Sequence, residues 1–271
     1  MTSNQNPAPG LRRIGVQLEP QATTMDALRE AAVAAEQAGF DSVWTWDHFF
    51  PLHGDPDAAH FEGWTLLSAF AADTSRVQLG HLVTCMSYRN PHLLADMART
   101  VDHISRGRLV LGLGAGWFER DYTAYEYPFG TPQGRLRDLE AGLYRLRLRL
   151  RQLNPPPVGP LPLLIGGGGE RITLRLVAEH ASMWNGFGPP ESFAHKNAVL
   201  DRWCAEVGRD PASIERTALV PLTEFTAGPR PLEQTVDAYA RAGVQHLMLN
   251  LGHPFDLDAA LPVLDAVRTR E

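Results

Sequence analysis

The sequence predicts a (β/α)₈ TIM barrel, and three observations carry that prediction. Short apolar or β-branched runs alternate with helix-period segments eight times along the chain. No hairpin signal joins two of the runs, so the strands must pair in parallel through helical crossovers. The length, 271 residues, is that of such a barrel. A doubly wound open sheet is the alternative. Its glycine fingerprint after the first strand is missing, because Leu18-Glu19-Pro20 stands there.

The elements follow in order. RIGVQL at 13–18 is the first strand, and 25–38 the first helix, with Met25, Leu28, Ala32 and Ala35 on one face and Gly39 as its stop. DSVWTW at 41–46 is strand two and 63–72 its helix. Residues 77–84 are strand three, after which Asn90 caps and Pro91 opens a helix to 104. RLVLGL at 108–113 is strand four. The next segment, 135–153, contains RLRLRLR, which alternates like a strand. Leu136, Leu139, Leu143, Leu146, Leu150 and Leu153 keep a 3-4-3-4-3 spacing over a longer stretch, so the segment is a helix, with its six arginines as a solvated face. Strands five and six are 163–165 and 183–185, with helices at 170–180 and 192–207. Strand seven is 216–222 with a helix at 232–242, and HLMLNL at 246–251 is strand eight, with the last helix at 258–268.

No composition break marks a second domain, so 11–271 forms one barrel behind a flexible tail at 1–10. A net charge of −6 argues against a general nucleic-acid binder. No apolar stretch approaches the roughly 20 residues of a membrane span, and the polar start has no signal-peptide core, so a cytoplasmic protein is expected. Cys85 and Cys204, the two cysteines, make neither a disulfide framework nor a zinc motif.

Barrels of this kind carry their chemistry on the C-terminal ends of strands and the loops that follow. Gly166, Gly167, Gly168 and Gly169 follow strand five and precede a helix, an anion nest suited to phosphate; the plainer reading is a flexible turn. Asp47 and His48 end strand two. They are either a proton-exchanging pair or a cap beside a satisfied polar neighbour. His48, His53 and His60 with Asp55, Asp57 and Glu62 could suggest a metal, but a polar loop accounts for them and no metal site is expected. In LGLGAGWFE, residues 111–119, Gly112, Gly114 and Gly116 let a flat ligand or another chain approach the end of strand four.

In this order, DSVWTWDHFF (41–50), the stretch 76–117, IGGGGERITLRLVAEHASMWN (165–185) and VQHLMLNL (244–251) resemble the luciferase-like flavin and deazaflavin oxidoreductases. LGLGAGWFE with IGGGGER looks most like the coenzyme F420-dependent subset. The resemblance implies that Asp47 and His48 lie beside the deazaflavin ring and that Thr84 and Cys85 line it. It also implies a non-proline cis peptide at Leu82-Val83 behind the ring, and cofactor phosphate held by the backbone of Gly167 to Gly169. In that frame His48 handles a proton, while Asp47 fixes the ring or the imidazole. Three departures stand out: Trp117 where some relatives carry a glutamate, Ala181-Ser182-Met183 where many read Ala-Asp, and no insertion between the fourth helix and strand five. The resemblance thus implies hydride transfer between F420 and an organic small molecule, in a homodimer, with a flavin or F420 reductase as partner. The alternatives are an FMN-dependent two-component monooxygenase and a non-catalytic flavin-binding protein.

Overall fold

A computed structural model describes residues 10–270. The expected tail at 1–10 falls almost wholly outside the described residues. Eight parallel staves form the barrel: β1 (Arg13–Leu18), β2 (Ser42–Thr45), β3 (Gln78–His81, resumed at Thr84–Cys85), β4 (Leu109–Gly114), β5 (Leu163–Gly166), β6 (Met183–Gly186), β7 (Glu215–Pro221) and β8 (His246–Leu251). β1 pairs with both β2 and β8, and β3 with β4, so the sheet closes on itself. The fold is a TIM barrel.

Alternation along each strand builds two layers. Leu109 and Leu111 of β4 face the surrounding helices, while Val110 points inward. The interior is filled by Trp44, Leu82, Val110, Leu164, Met183 and Met248, so the barrel is a packed core and not a pore. Burying one such large apolar side chain is worth about 1.5–3 kcal/mol.

The helices are α1 (Met25–Ala38), α2 (Gly63–Asp73), α3 (Pro91–Ile104), α4 (Glu119–Ala124), α5 (Pro132–Leu150), α6 (Thr173–His180), α7 (Pro190–Glu206), α8 (Thr223–Thr226), α9 (Leu232–Arg241) and α10 (Leu257–Arg268). Local chemistry sets their ends. Thr24 accepts a hydrogen bond from the Ala27 amide at the start of α1, and Gly39 ends it at φ 98°, a left-handed conformation that glycine adopts without cost. Asn90 caps α3, with Pro91 in the first turn, as expected.

Three readings need correction. α4 and α8 are short helices in loops, too brief to show a period in the sequence. α6 begins at Thr173 and not at 170, because a turn spans 170–172. The segment rich in arginine is the helix α5, yet its arginines are not merely a solvated face. Arg135 is buried, bonded to the carbonyls of Gly116 and Phe129 with its guanidinium 4.0 Å from the Phe129 ring. Arg147 and Arg149 bind His180 and Asp96.

Candidate functional site

A cavity of about 660 Å³ opens at the C-terminal end of the strands. The strand order divides its wall. Leu82, Val83 and Cys85 of the β3 stave, Gly114 of β4, and Gly166 and Gly167 after β5 form one arc. Gln17 and Glu19 of the β1 end, Asn250 of β8, and Leu219 and Pro221 of β7 form the opposite one. Asp47 and His48 stand between them at the end of β2. Trp117 and Phe187 edge the cavity and stay exposed at 61% and 49%.

β3 is interrupted at the Leu82-Val83 bond, which is cis, as the resemblance implies. Val83 then sits between two neighbouring strand ends. A Cβ on Gly114 would lie 2.5 Å from one Val83 methyl, and a Cβ on Gly166 would lie 2.9 Å from the other. These two glycines therefore make room for Val83, a packing role that the glycine pattern alone did not reveal. The result is an apolar ledge on the cavity wall, shaped by backbone.

His48 is held by a residue that sequence reasoning missed. Its Nδ1 lies 2.6 Å from Oδ2 of Asp121, a fully buried carboxylate on α4. Asp121 also accepts from the Tyr88 hydroxyl at 2.7 Å and the Phe49 amide at 3.0 Å. With Asp121 accepting, Nδ1 carries the proton, and Nε2 is the atom left to meet a substrate. The rings of Trp46, Trp117 and Phe118 contact the imidazole edge-on, at centroid distances of 6.2, 5.8 and 5.6 Å. α4 is too short to show a period, and an acid two residues past Glu119 gives no signal of contact with strand two.

Asp47 does not fix the imidazole. It is 1% exposed and accepts two bonds from the Arg89 guanidinium, at 2.6 and 2.8 Å, and one from the Cys85 amide at 3.0 Å. This bidentate pair ties the end of β2 to the turn before α3 and compensates the Asp47 charge. Thr84 is not on the wall either. It is fully buried, with its hydroxyl 3.2 Å from Nδ1 of His81. The reason is strand alternation: with Val83 and Cys85 at the cavity, Thr84 faces away. Cys85 does line the cavity. Burial pushes its thiol up to about 11, so it stays protonated and is no nucleophile.

The glycine run is only partly at the cavity. Gly166 and Gly167 line it with Thr173, whereas Gly168 and Gly169 lie beyond the wall. The Gly167 amide is already bonded to the Asn185 carbonyl at 3.1 Å, which removes it from any anion nest. Lys196 is the one lysine of the chain. Its Cε lies 3.6 Å from where a Gly168 Cβ would stand, and its Nζ is 2.6 Å from Glu170. Among the described residues, no group of three or more His, Cys, Asp or Glu could hold a metal ion.

The luciferase-like monooxygenase family model matches residues 11–224. The chain belongs to that family. Within the family, an F420-dependent hydroxymycolic acid dehydrogenase of Mycobacterium tuberculosis is 28% identical over 229 residues, 78% of this chain and 63% of the relative. An F420-dependent glucose-6-phosphate dehydrogenase of Kineococcus radiotolerans is 39% identical over 179 residues, 59% of this chain and 52% of the relative. This luciferase-like chain thus spans less than two thirds of the length of either. Among solved structures, an F420-dependent secondary alcohol dehydrogenase in complex with an F420-acetone adduct superposes with a TM-score of 0.83 at 18% identity. The match covers 95% of this chain and 99% of that one, and it supports the barrel fold alone.

Proposed function

We propose that this protein is an oxidoreductase that uses coenzyme F420 to exchange a hydride with a small organic substrate. The observation that carries the reading is the cavity itself: an apolar ledge of Leu82 and Val83 facing a polar arc, with an oriented imidazole between them. Relatives named as F420-dependent dehydrogenases support the cofactor.

The residues present fit such a group. The ledge and the two glycines beside it leave a flat wall that a Cβ would disrupt. The Thr173 hydroxyl stands at one end beside Gly166 and Gly167 and would donate to a phosphate there, while Lys196, next to Gly168, is held by Glu170. When bound, the deazaflavin supplies hydride chemistry at its ring carbon. His48 holds or accepts the substrate proton at Nε2, and Asp121 keeps the imidazole in one tautomer and orientation. Asp47 and Arg89 fix the Cys85 amide and the β2 end, and so would shape the wall that receives such a group. A homodimer and a cofactor reductase as partner belong to this proposal.

The test is to mix purified protein with oxidised F420 and a panel of alcohols, and with reduced F420 and the matching ketones. Loss or gain of the deazaflavin absorbance with any pair supports the reading. Oxygen-dependent turnover with reduced FMN and none with F420 would replace it by the monooxygenase reading.

A further inference from the structure

From the charge inventory of two adjoining cavities, we infer that the substrate carries a hydroxyl or ammonium group and no negative charge. The inference rests on the function proposed above and names the substrate class for the same site.

A second cavity, of about 530 Å³, lies over the ends of β7 and β8. Glu19, His53, Pro221 and Asn250 line both it and the main cavity, so the two meet at these side chains. No arginine or lysine lines either one among the described residues. Of the basic side chains on the surrounding loops, Arg171 is exposed on the turn before α6 and lines neither cavity, and three others are committed elsewhere. Arg89 is paired with Asp47, Arg120 lies over the Phe50 ring and donates to the Pro56 carbonyl, and Lys196 is held by Glu170 at the far arc. Neither imidazole is a fixed cation: His48 donates its Nδ1 hydrogen bond to Asp121, and the side chain of His53 is 63% exposed. His48 meets Asp121 at 2.6 Å, and His53 meets Glu19 at 3.0 Å.

Barrels commonly bind phosphate after strands seven and eight. Here the segments after β7 and β8 hold Thr223, Thr226 and Asp256, and Glu19 joins them from the β1 end, hydroxyls and carboxylates without a cation in the lining. Glu19 is 5% exposed, and the one side-chain partner of its carboxylate among the described residues, His53, has a side chain 63% exposed. A buried carboxylate with so loosely held a partner offers its remaining lone pairs to whatever enters. Bringing a second negative charge within several ångströms of it in a partly desolvated cavity would weaken binding on the order of 100-fold. A hydroxyl or an ammonium would instead donate to it. A sugar phosphate, a sulfonate or a carboxylic acid thus finds no countercharge beside the polar arc. An alcohol or amine fits, with its reacting carbon below His48 and its remainder directed past Glu19 into the second cavity.

The experiment uses three probes that share one ring: cyclohexanol, cyclohexylammonium and cyclohexanecarboxylate. Each is titrated by calorimetry into the whole protein, with and without F420, and into Glu19→Gln. We expect saturable binding of the alcohol and the ammonium, with the carboxylate at least about tenfold weaker than either. Glu19→Gln should remove the preference for ammonium over carboxylate while keeping the alcohol within about threefold of wild type. Carboxylate binding equal to or tighter than both donors would overturn the inference. So would an unchanged ammonium preference in Glu19→Gln, or no saturable binding of either donor. Failure of F420 to bind would strike the proposed function instead, and it is read separately from the rank order of the probes in the cofactor-free arm.

Discussion

His48 faces the cavity with one defined nitrogen because Asp121, 73 residues away in sequence, holds the other. We expect His48→Ala to lower turnover by roughly 10²–10⁴-fold while changing cofactor affinity little, the range for losing a general acid or base. Single-turnover hydride transfer and an F420 titration on the same variant separate the two effects. Turnover like wild type would leave His48 a wall residue, with Glu19, Glu119, the substrate or water as proton source. Asp121→Asn should lower turnover by about tenfold or more and change its pH profile, because an amide can present its donor to Nδ1 and invert the tautomer. An unaltered profile would make Asp121 a purely structural partner of Tyr88 and Phe49. Asp47 has a different part. With its side chain fully buried and Arg89 10% exposed, Arg89→Met should cost about 3–5 kcal/mol in urea unfolding, the cost of stranding a buried charge. A loss below about 1 kcal/mol would show that water reaches the pair.

At the scale of elements, the β3–β5 arc depends on one valine between two glycines. Gly114→Ala would press its methyl against Val83, a clash that costs about 1–3 kcal/mol and tilts the ledge. Val83→Ala in the same chain should recover most of that loss, so the two changes will be strongly non-additive in thermal unfolding and in cofactor affinity. Additive effects would mean that Val83 does not mediate the damage. The same arc shows how far the sequence could be read. The staves were legible because alternation and helix period repeat along them, and α5 was legible because its leucine spacing outlasts RLRLRLR. The glycines were visible, but their spacing could not tell a ligand site from room for a neighbouring side chain. Thr84 departs from the expected lining because a strand sends consecutive residues to opposite faces, and Cys85 takes the cavity side. Asp121 and Arg89 were invisible for a related reason: their partners lie on other loops, and no periodic pattern encodes a contact across a barrel mouth.

For the molecule as a whole, three histidines, His81 and His246 buried and His60 half-buried, are held in uncharged form. Burial, and then the nearby His48 charge, pushes His60 down to about 4, and burial also lowers His81 and His246. Each is neutral in the folded state over a range where the unfolded chain, with imidazoles near 6.5, takes up a proton. Their contribution to stability is therefore complete above about pH 6.5. It falls as pH drops toward 4, by up to about 1.4 kcal/mol per pH unit for each proton taken up. Urea midpoints should decline from pH 7.5 to 5, and His60→Gln should reduce the slope; a flat profile would show that these sites hydrate. The broader claim is that this luciferase-like barrel is built around a deazaflavin. Its most direct test is equilibrium titration of the purified protein with F420 and with FMN, followed by fluorescence under identical conditions. We predict saturable F420 binding at least about tenfold tighter than FMN, a gap of about 1.4 kcal/mol. Tight FMN binding with no detectable F420 binding would contradict it.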